Sequence, residues 1–455
     1  MTDITSPTAK AIAQPSRPIT SLMSESALMK RRNSAETRFR MYGVAAIVVA
    51  LLTLAIMLFT IFRDGSSAFF QATIGFPVMI DAAVVDKTGS RDPAEMASVT
   101  TIGYGRILGQ SLVRHLAEEG VTVEGISEKE IVDMISKDAP ARLRDRVLSD
   151  PSLVGQTVMV NAFATGRVDG YLKGRVTREI AERDSNVTPA QLDLTDKLIE
   201  AGILETKFNW SFITAPDASD LRPEAAGLGI AIMGTAYMMI LVIIMSLPLG
   251  VAASIYLEEF APQNWFTDLI EVNISNLAAV PSIVYGILGL AIFINFAGIP
   301  SSSPMVGALV LTLMALPTII IATRSAIRAV PPSIRDAALG VGASKMQTVF
   351  HHVLPLAAPG ILTGAILALA SAAGETGPLL LIGMVAFVAN YPASPLDGGF
   401  LDPASALPVQ VYSWASRSDP AFIERSSGAI IVLLLFLLVM NILAIVLRRR
   451  FERRW

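Results

Sequence analysis

YGVAAIVVALLTLAIMLFTIF fills residues 42–62 without a single charged side chain. An α-helix rises about 1.5 Å per residue, so about 20 apolar residues cross the roughly 30 Å hydrocarbon core of a bilayer. Residues 429–447, AIIVLLLFLLVMNILAIVL, form a second run of this kind near the other end of the chain. A cleaved signal peptide has a shorter apolar run nearer the terminus, so the first run predicts a retained transmembrane helix.

The composition extends this interpretation to the rest of the chain. Of 455 residues, 52% are hydrophobic and 16% are charged, whereas an average soluble domain has about 25% charged residues. The sequence therefore predicts an all-α membrane protein with six transmembrane helices, the first at 42–62. Four more apolar regions lie before the last run, at Leu228–Tyr256, Leu269–Phe296, Val306–Thr323 and Pro359–Val388.

Positive charge indicates which way the helices cross the membrane. Lysine and arginine are enriched in cytoplasmic segments, and here they cluster before residue 42, after residue 447 and between Arg324 and Lys345. Six crossings place both termini on the same side. We therefore predict that residues 1–41 are a disordered cytoplasmic tail and residues 448–455 a basic cytoplasmic tail.

Residues 63–222 are a separate unit of mixed charge. Apolar residues recur there at three- and four-residue spacing, as in helices, over residues 105–119, 128–148 and 189–201. About 160 residues suffice for a soluble domain with its own core. The orientation makes this segment a large, mainly helical extracytoplasmic insertion between transmembrane helices 1 and 2.

Several kinds of chemistry are excluded by what the sequence lacks. The chain has no cysteine, which excludes disulfides and thiolate ligands, and its three histidines offer little material for a metal site. It contains no GxxxxGK[ST] phosphate-binding loop, so we do not expect it to hydrolyse ATP. We expect no enzymatic activity, no cofactor, no metal and no nucleic acid on this chain.

The most informative polar stretch is RDAALGVGASKMQTVFHHVLP, residues 335–355. Lone charges and small residues indicate a loop between two membrane helices. The stretch predicts a short helix, a turn at Gly342 with positive φ, and a second helix that stops at Pro355.

This stretch resembles the EAA loop of ABC importer permeases. The family pattern is EAA, three residues, Gly, nine residues, Ile, one residue and Leu-Pro, and the sequence matches it at Ala337, Ala338, Gly342, Leu354 and Pro355. Two positions depart from the pattern: Asp336 replaces Glu, and His352 replaces Ile. The resemblance implies that Asp336 and the matching residues couple the permease to an ATPase subunit.

A break inside the fifth apolar region marks a candidate substrate path. GETGPLLLIG, residues 374–383, resembles the GETAPLL segment of PstA-type phosphate permeases, with Gly377 in place of Ala. A carboxylate inside an apolar run costs about 2.5–3.5 kcal/mol, so Glu375 and its neighbour Thr376 are candidate functional residues. Gly377 and Pro378 would interrupt the helix, as in many substrate paths. The alternative is that the break is the outer end of the helix, with Glu375 at the interface.

Arg324 ends the apolar stretch MALPTIIIATR. The resemblance implies a basic residue here that meets anionic phosphate. Our hypothesis is that Arg324 attracts the anion, while Glu375 pairs with a pathway arginine of this or the partner subunit when no phosphate is bound. The alternative is an arginine that extends to the cytoplasmic interface, which is the interpretation we give to Arg328.

Residues 226–447, with the coupling loop at 324–356, resemble the permease core of binding-protein-dependent importers. The resemblance implies a phosphate permease subunit in the bacterial inner membrane. Its partners would be membrane lipid, a second PstC-like permease, a PstB-like ATPase dimer that carries ATP and Mg²⁺, and a PstS-like external binding protein. Two alternatives stay open: a permease for sulfate or molybdate, and a membrane receptor that senses through residues 63–222. A receptor would need a cytoplasmic output domain, which the sequence does not offer.

Overall fold

The computed structural model describes residues 27–86 and 89–451, most of them helical. Its first helix, α1, runs Ala27–Gly65, and the chain divides into two units after Thr60. The predicted disordered tail is wrong from residue 27 onward, because residues 27–41 contain good helix formers and neither Gly nor Pro. Residues 1–26 of that tail, and 452–455 of the predicted basic tail, lie outside the described residues.

The segment that follows α1 is mainly helical, as predicted. Helices α4 and α9 fall on the predicted patterns at 105–119 and 189–201, whereas the pattern at 128–148 is divided between α5 and α6. Ile135, in the gap, forms an isolated β-bridge with Ala164 instead. The helices are α2 (Ala82–Val85), α3 (Pro93–Met96), α4 (Thr101–Glu118), α5 (Glu128–Val132), α6 (Ala139–Ser149), α7 (Gly166–Leu172), α8 (Arg178–Ala181), α9 (Pro189–Glu200) and α10 (Trp210–Thr214).

A small antiparallel sheet, absent from the sequence prediction, forms the centre of this domain. Its strands are β1 (Phe70–Met79), β2 (Thr157–Phe163) and β3 (Leu204–Phe208), in the order β2-β1-β3. The buried side chains of β1, among them Ile74 and Phe76, share one apolar core with Leu112 of α4. Removal of this apolar core from water is the main contribution to the stability of the domain.

The rest of the chain forms the membrane region. Three π-helical segments, Tyr256–Phe260, Leu290–Phe296 and Val349–Val353, continue the helices that precede them. The α-helices are α11 (Gly229–Ile255), α12 (Trp265–Ala278), α13 (Ser282–Gly289), α14 (Pro304–Arg328), α15 (Pro332–Gly340), α16 (Lys345–Thr348), α17 (Leu354–Ala373), α18 (Gly377–Leu381), α19 (Leu407–Ala415) and α20 (Pro420–Phe451).

Five helices in the described chain are long and apolar enough to cross a membrane, and a bent pair makes up to six spans. They overlap all six predicted runs, which confirms the helical membrane fold, but the fifth span is Lys345–Ala373 and shares only residues 359–373 with the predicted run at 359–388. The bent pair is α12 with α13, at an angle of 102°. The sequence predicted one continuous run over 269–296. Pro281 explains the bend, because proline lacks an N–H and restricts the residue before it.

The domain that follows α1 is fixed to the first turns of α20 by buried charge. The guanidinium of Arg425, 4% exposed, donates to the carbonyl oxygens of Ala226 and Glu224 and to the side chain of Gln71. A buried arginine is stable only when its donors are matched in this way. The link therefore joins β1, the segment before α11 and α20 into one packed body.

Candidate functional site

Arg324 lies one turn before the end of α14 and is nearly enclosed. Its side chain is 12% exposed, its Nε lies 3.2 Å from Oε2 of Glu258, and its Nη2 lies 2.5 Å from Oε1 of Glu271. Glu258 belongs to the π-helical end of α11, and Glu271 belongs to α12. One guanidinium thus joins three membrane helices.

Arg328 shares one of these carboxylates. Its Nε lies 2.7 Å from Oε1 of Glu258, but its side chain is 61% exposed. The structure therefore separates the two arginines as the sequence analysis did, with Arg328 at the surface and Arg324 inside. Two arginines and two carboxylates balance in charge, and enclosed Arg324 becomes unfavourable when it loses its carboxylate partners.

Glu375 and Thr376 lie in the break between α17 and α18, away from Arg324. The carboxylate of Glu375 makes no ion pair with any described residue, so its predicted pairing with an arginine of this chain is not present in this structure. Gly360 and Gly364 of α17 pack against Ala326 and Ala322 of α14 respectively, an order that makes the two helices antiparallel. Glu375 lies about 16 Å beyond Gly364 in the direction of α17, at about 1.5 Å per residue. It is therefore far from the level of Arg324.

The break itself is a close packing site. A Cβ atom on Gly286 of α13 would lie 2.7 Å from Cα of Pro378, whereas a Cβ atom on Gly377 would meet no neighbour within 4 Å. Helix α13 therefore approaches the backbone of α18 directly. The second helix of the bent pair, α13, therefore packs against the chain directly after the predicted helix break.

The coupling loop begins as predicted, with a short helix and a glycine turn. Helix α15 ends in a pair of hydrogen bonds, from Ala343 N–H to the Ala338 carbonyl and from Gly342 N–H to the Leu339 carbonyl. Gly342 has φ +90°, a conformation that favours glycine, so the turn is a Schellman cap. Asp336 and Ala337 are exposed, while Ala338 is buried.

The predicted stop at Pro355 is wrong. Leu354 and Pro355 form the first turn of α17, and the helix is continuous from Lys345 to Ala373 through the π-helical segment. In a π-helical turn each N–H bonds to the carbonyl five residues earlier instead of four. The hydrogen-bond pattern thus changes just before the proline, and its missing N–H does not end the helix. The coupling segment is thus a direct extension of a membrane helix.

The coupling loop is fastened to the same end of α11 that holds Arg324. Arg335 of α15 pairs with Glu259 at 2.8 Å and donates to the carbonyl oxygens of Val330 and Ile327. The ammonium of Lys345 lies 5.4 Å from the ring centre of Phe260, in cation–π range. The loop is therefore in direct contact with the Tyr256–Phe260 segment.

The sequence analysis missed Glu258, Glu259 and Glu271. A signal was present, because Glu271 lies inside the apolar run 269–296, where a carboxylate is expensive and needs a partner. Together these residues and Arg324 form a charged cluster at the coupling-loop end of the membrane helices. An arginine in this setting can bind an oxyanion through its forked donors once a carboxylate leaves.

Comparison with known families divides the chain in two. Residues 246–455 match the family described as "Binding-protein-dependent transport system inner membrane component", and residues 26–182 match a domain of unknown function, DUF3333. The second match covers most of the domain built around the sheet.

Curated relatives align with about half of the chain. A probable ABC transporter permease protein, YqgI of Bacillus subtilis, is 33% identical over 52% of this chain and 83% of its own length. The phosphate transport system permease protein PstA 2 of Mycobacterium tuberculosis is 34% identical over 54% of this chain and 79% of its own. PstA of Yersinia pestis is 30% identical over 49% and 73%. The chain therefore belongs to the binding-protein-dependent inner membrane permeases of ABC transporters and, within them, to the PstA type.

Proposed function

We propose that the chain is the transmembrane permease subunit of an ATP-driven inorganic phosphate importer. It forms the translocation path with a second permease, and an external binding protein delivers the anion. ATP and Mg²⁺ are bound by a separate ATPase dimer. Both termini and the coupling loop lie in the cytoplasm, where the basic residues are concentrated.

One observation carries the substrate assignment. Arg324 is a nearly enclosed cation in an apolar membrane helix, and its charge is matched by two carboxylates. Ionisable groups within spans are usually functional, and phosphate is an anion that a forked guanidinium binds well. The similarity to PstA proteins that are named as phosphate transport permeases supports phosphate as that anion.

The exposed face of the coupling loop supports contact with an ATPase. Four apolar side chains are exposed there: Leu339, Val341, Met346 and Phe350. They surround the Gly342 turn, and Val341 is 86% exposed. An apolar patch on a polar loop is typical of a protein contact site. We propose that the ATPase covers this patch, and that its closure moves α17 through the continuous helix from Lys345.

The proposal is tested by uptake of labelled phosphate in phosphate-starved cells that lack this gene, and in the same cells complemented with it. Sulfate and molybdate uptake are measured in parallel. We expect a selective loss of phosphate uptake that complementation restores. Cells that also lack other phosphate importers exclude redundancy.

The same experiment separates the alternatives. A loss of sulfate or molybdate uptake with normal phosphate uptake would replace the substrate and keep the importer class. Unchanged uptake of all three anions, with an altered transcriptional response to phosphate, would favour a receptor that senses through residues 63–222.

A further inference from the structure

The two carboxylates on Arg324 are held differently. Glu258 contacts both Arg324 and Arg328, and its side chain is 15% exposed. Among the residues that the structure describes, Glu271 forms an ion pair with Arg324 alone, and its side chain is 35% exposed. Loss of the Glu271 contact breaks one ion pair, whereas loss of Glu258 breaks two. Glu271 is therefore the partner that leaves at lower cost.

The helices that carry these carboxylates also differ in packing. Helix α11 is seated closely on α14, since a Cβ atom on Gly250 would lie 2.6 Å from the side chain of Ile319, and Ser254 donates to the Ile320 carbonyl. Helix α12 buries Thr267 and exposes large residues such as Leu269 and Val272. It also ends at the bend before Pro281. Within this chain, helix α12 is thus less tightly packed than α11.

Charge balance decides when the shift is favourable. With both carboxylates in place, Arg324 and Arg328 are neutralised, and an incoming oxyanion meets no net attraction. When Glu271 moves away, the remaining group of two arginines and Glu258 carries one net positive charge. The guanidinium then offers Nη2 to the anion, in the direction that the Glu271 carboxylate occupied.

We propose that Glu271 is a displaceable internal counterion, which occupies Arg324 until a tetrahedral oxyanion takes its place. This inference rests on the proposed function, in which that anion is phosphate. When no anion is bound, the Glu271 carboxylate pairs with the buried arginine. When an anion binds, it displaces this carboxylate, so that anion binding and movement of α12 occur together. Glu258 stays in place as the fixed partner that positions Arg324.

The test measures binding of labelled phosphate to the purified, nucleotide-free complex without its external binding protein, so that the affinity is that of the membrane path. Glu271→Gln removes the competing charge. Apparent affinity is the intrinsic affinity multiplied by the fraction of sites that are free to bind, so a Glu271 pair that occupies about nine-tenths of the sites predicts binding about tenfold tighter in the variant than in wild type. Asp268→Asn is the matched control: it removes an exposed carboxylate of α12 that has no ion pair within the described chain.

Each result has a distinct meaning. Equal phosphate affinity in Glu271→Gln, Asp268→Asn and wild type would overturn the role of Glu271 and leave the importer proposal intact. A wild-type complex that binds sulfate or molybdate and not phosphate would overturn the proposed substrate, and the same three proteins assayed with that anion would still decide the role of Glu271.

A second measurement covers the case in which Glu271→Gln does not assemble. The chain has no cysteine, so a cysteine placed at exposed Val272 reports on α12 through its rate of alkylation. Phosphate should change this rate in the otherwise wild-type chain and leave it unchanged when Arg324→Gln is also present. A rate that does not respond to phosphate in either protein would contradict the displacement.

Discussion

At the scale of single residues, enclosure distinguishes two arginines that the sequence places one turn apart. Arg324 is 12% exposed and Arg328 is 61% exposed, although both contact Glu258. Exposed ion pairs contribute little because water screens them, whereas an enclosed charge that loses its partner is strongly destabilising. Function should therefore depend on Arg324 far more than on Arg328.

Arg324→Gln should abolish or reduce phosphate uptake by more than about tenfold, because an uncompensated buried pair costs about 3–5 kcal/mol and the anion loses its donor. Arg328→Gln, the matched control, should stay within about twofold of wild type. Uptake of labelled phosphate is compared at equal amounts of membrane-inserted protein. Equal losses in the two variants would mean that Arg324 has no special role in the path.

At the scale of elements, the coupling loop depends on one backbone conformation. Gly342 has positive φ, while Gly340, the last residue of α15, does not, and a Cβ atom at either position would meet no neighbour within 4 Å. The two glycines therefore differ in backbone strain and not in available space. Alanine substitutions at the two glycines therefore test the backbone conformation of the turn separately from side-chain packing.

Gly342→Ala should weaken coupling, because a left-handed alanine costs about 1–2 kcal/mol and distorts the patch around Val341. Gly340→Ala should have no effect or stabilise the helix slightly. The readout is ATPase co-purification and ATP-driven phosphate uptake. Normal coupling in Gly342→Ala would show that the Schellman turn is not needed for docking.

The contact between α13 and α18 provides a second comparison of two glycines. Gly286→Ala places a methyl group 2.7 Å from the Pro378 backbone, and overpacking of this kind costs about 1–3 kcal/mol. Gly377→Ala has open space and introduces the residue found in the PstA-type pattern. We expect a lower melting temperature in detergent for Gly286→Ala alone; equal melting temperatures would show that α13 yields at this contact.

At the scale of the whole molecule, the domain after α1 is built onto the membrane region. Glu424 of α20 pairs with Lys173 at 2.9 Å and with Arg175 at 2.5 Å, and Arg425 bonds to residues on both sides of the junction. The domain and the first turns of α20 are therefore packed together. A freely hinged sensor domain would not need this buried network.

Arg425→Met keeps an unbranched side chain and removes the charge, which leaves three acceptors without a donor. We expect faster limited proteolysis of residues 66–208 and a lower melting temperature, since each unsatisfied buried group costs about 1–3 kcal/mol. Arg183→Met changes an exposed arginine of the same domain and is the control. Identical proteolysis rates for the two variants would mean that other contacts hold the junction.

Glu224 gives the same junction a pH dependence. Burial raises the pKa of the Glu224 carboxyl above its ordinary value, although Ser136 and the Gly166 N–H both donate to it. A raised folded-state pKa means that the folded form binds the proton more tightly. Its stabilising contribution is therefore complete below the unfolded pKa and is lost as pH rises through the folded one. The rate of limited proteolysis at the junction should increase with rising pH in wild type and should not depend on pH in this way in Glu224→Gln. The same pH dependence of the rate in both proteins would assign the effect to another group.

The features that depend on neighbouring residues could be predicted from the sequence. Apolar runs set the membrane helices, Gly342 set the positive-φ turn, and the break at residues 374–376 lies directly before Gly377 and Pro378, the first residues of α18. These features are local, because helix formation and backbone strain involve residues within a few positions of one another. The same local reasoning failed at Pro355, where a π-helical turn absorbs the missing hydrogen bond.

Which charges meet could not be predicted from the sequence, because it depends on how distant segments pack. The partners of Arg324 are 66 and 53 residues away in sequence, and Glu375, the partner that the sequence suggested, lies towards the far end of the antiparallel helix. The sheet of the domain and its attachment to α20 likewise join segments far apart in the chain. Long-range pairing depends on how helices and strands are packed, and a single sequence does not specify that packing through its local patterns.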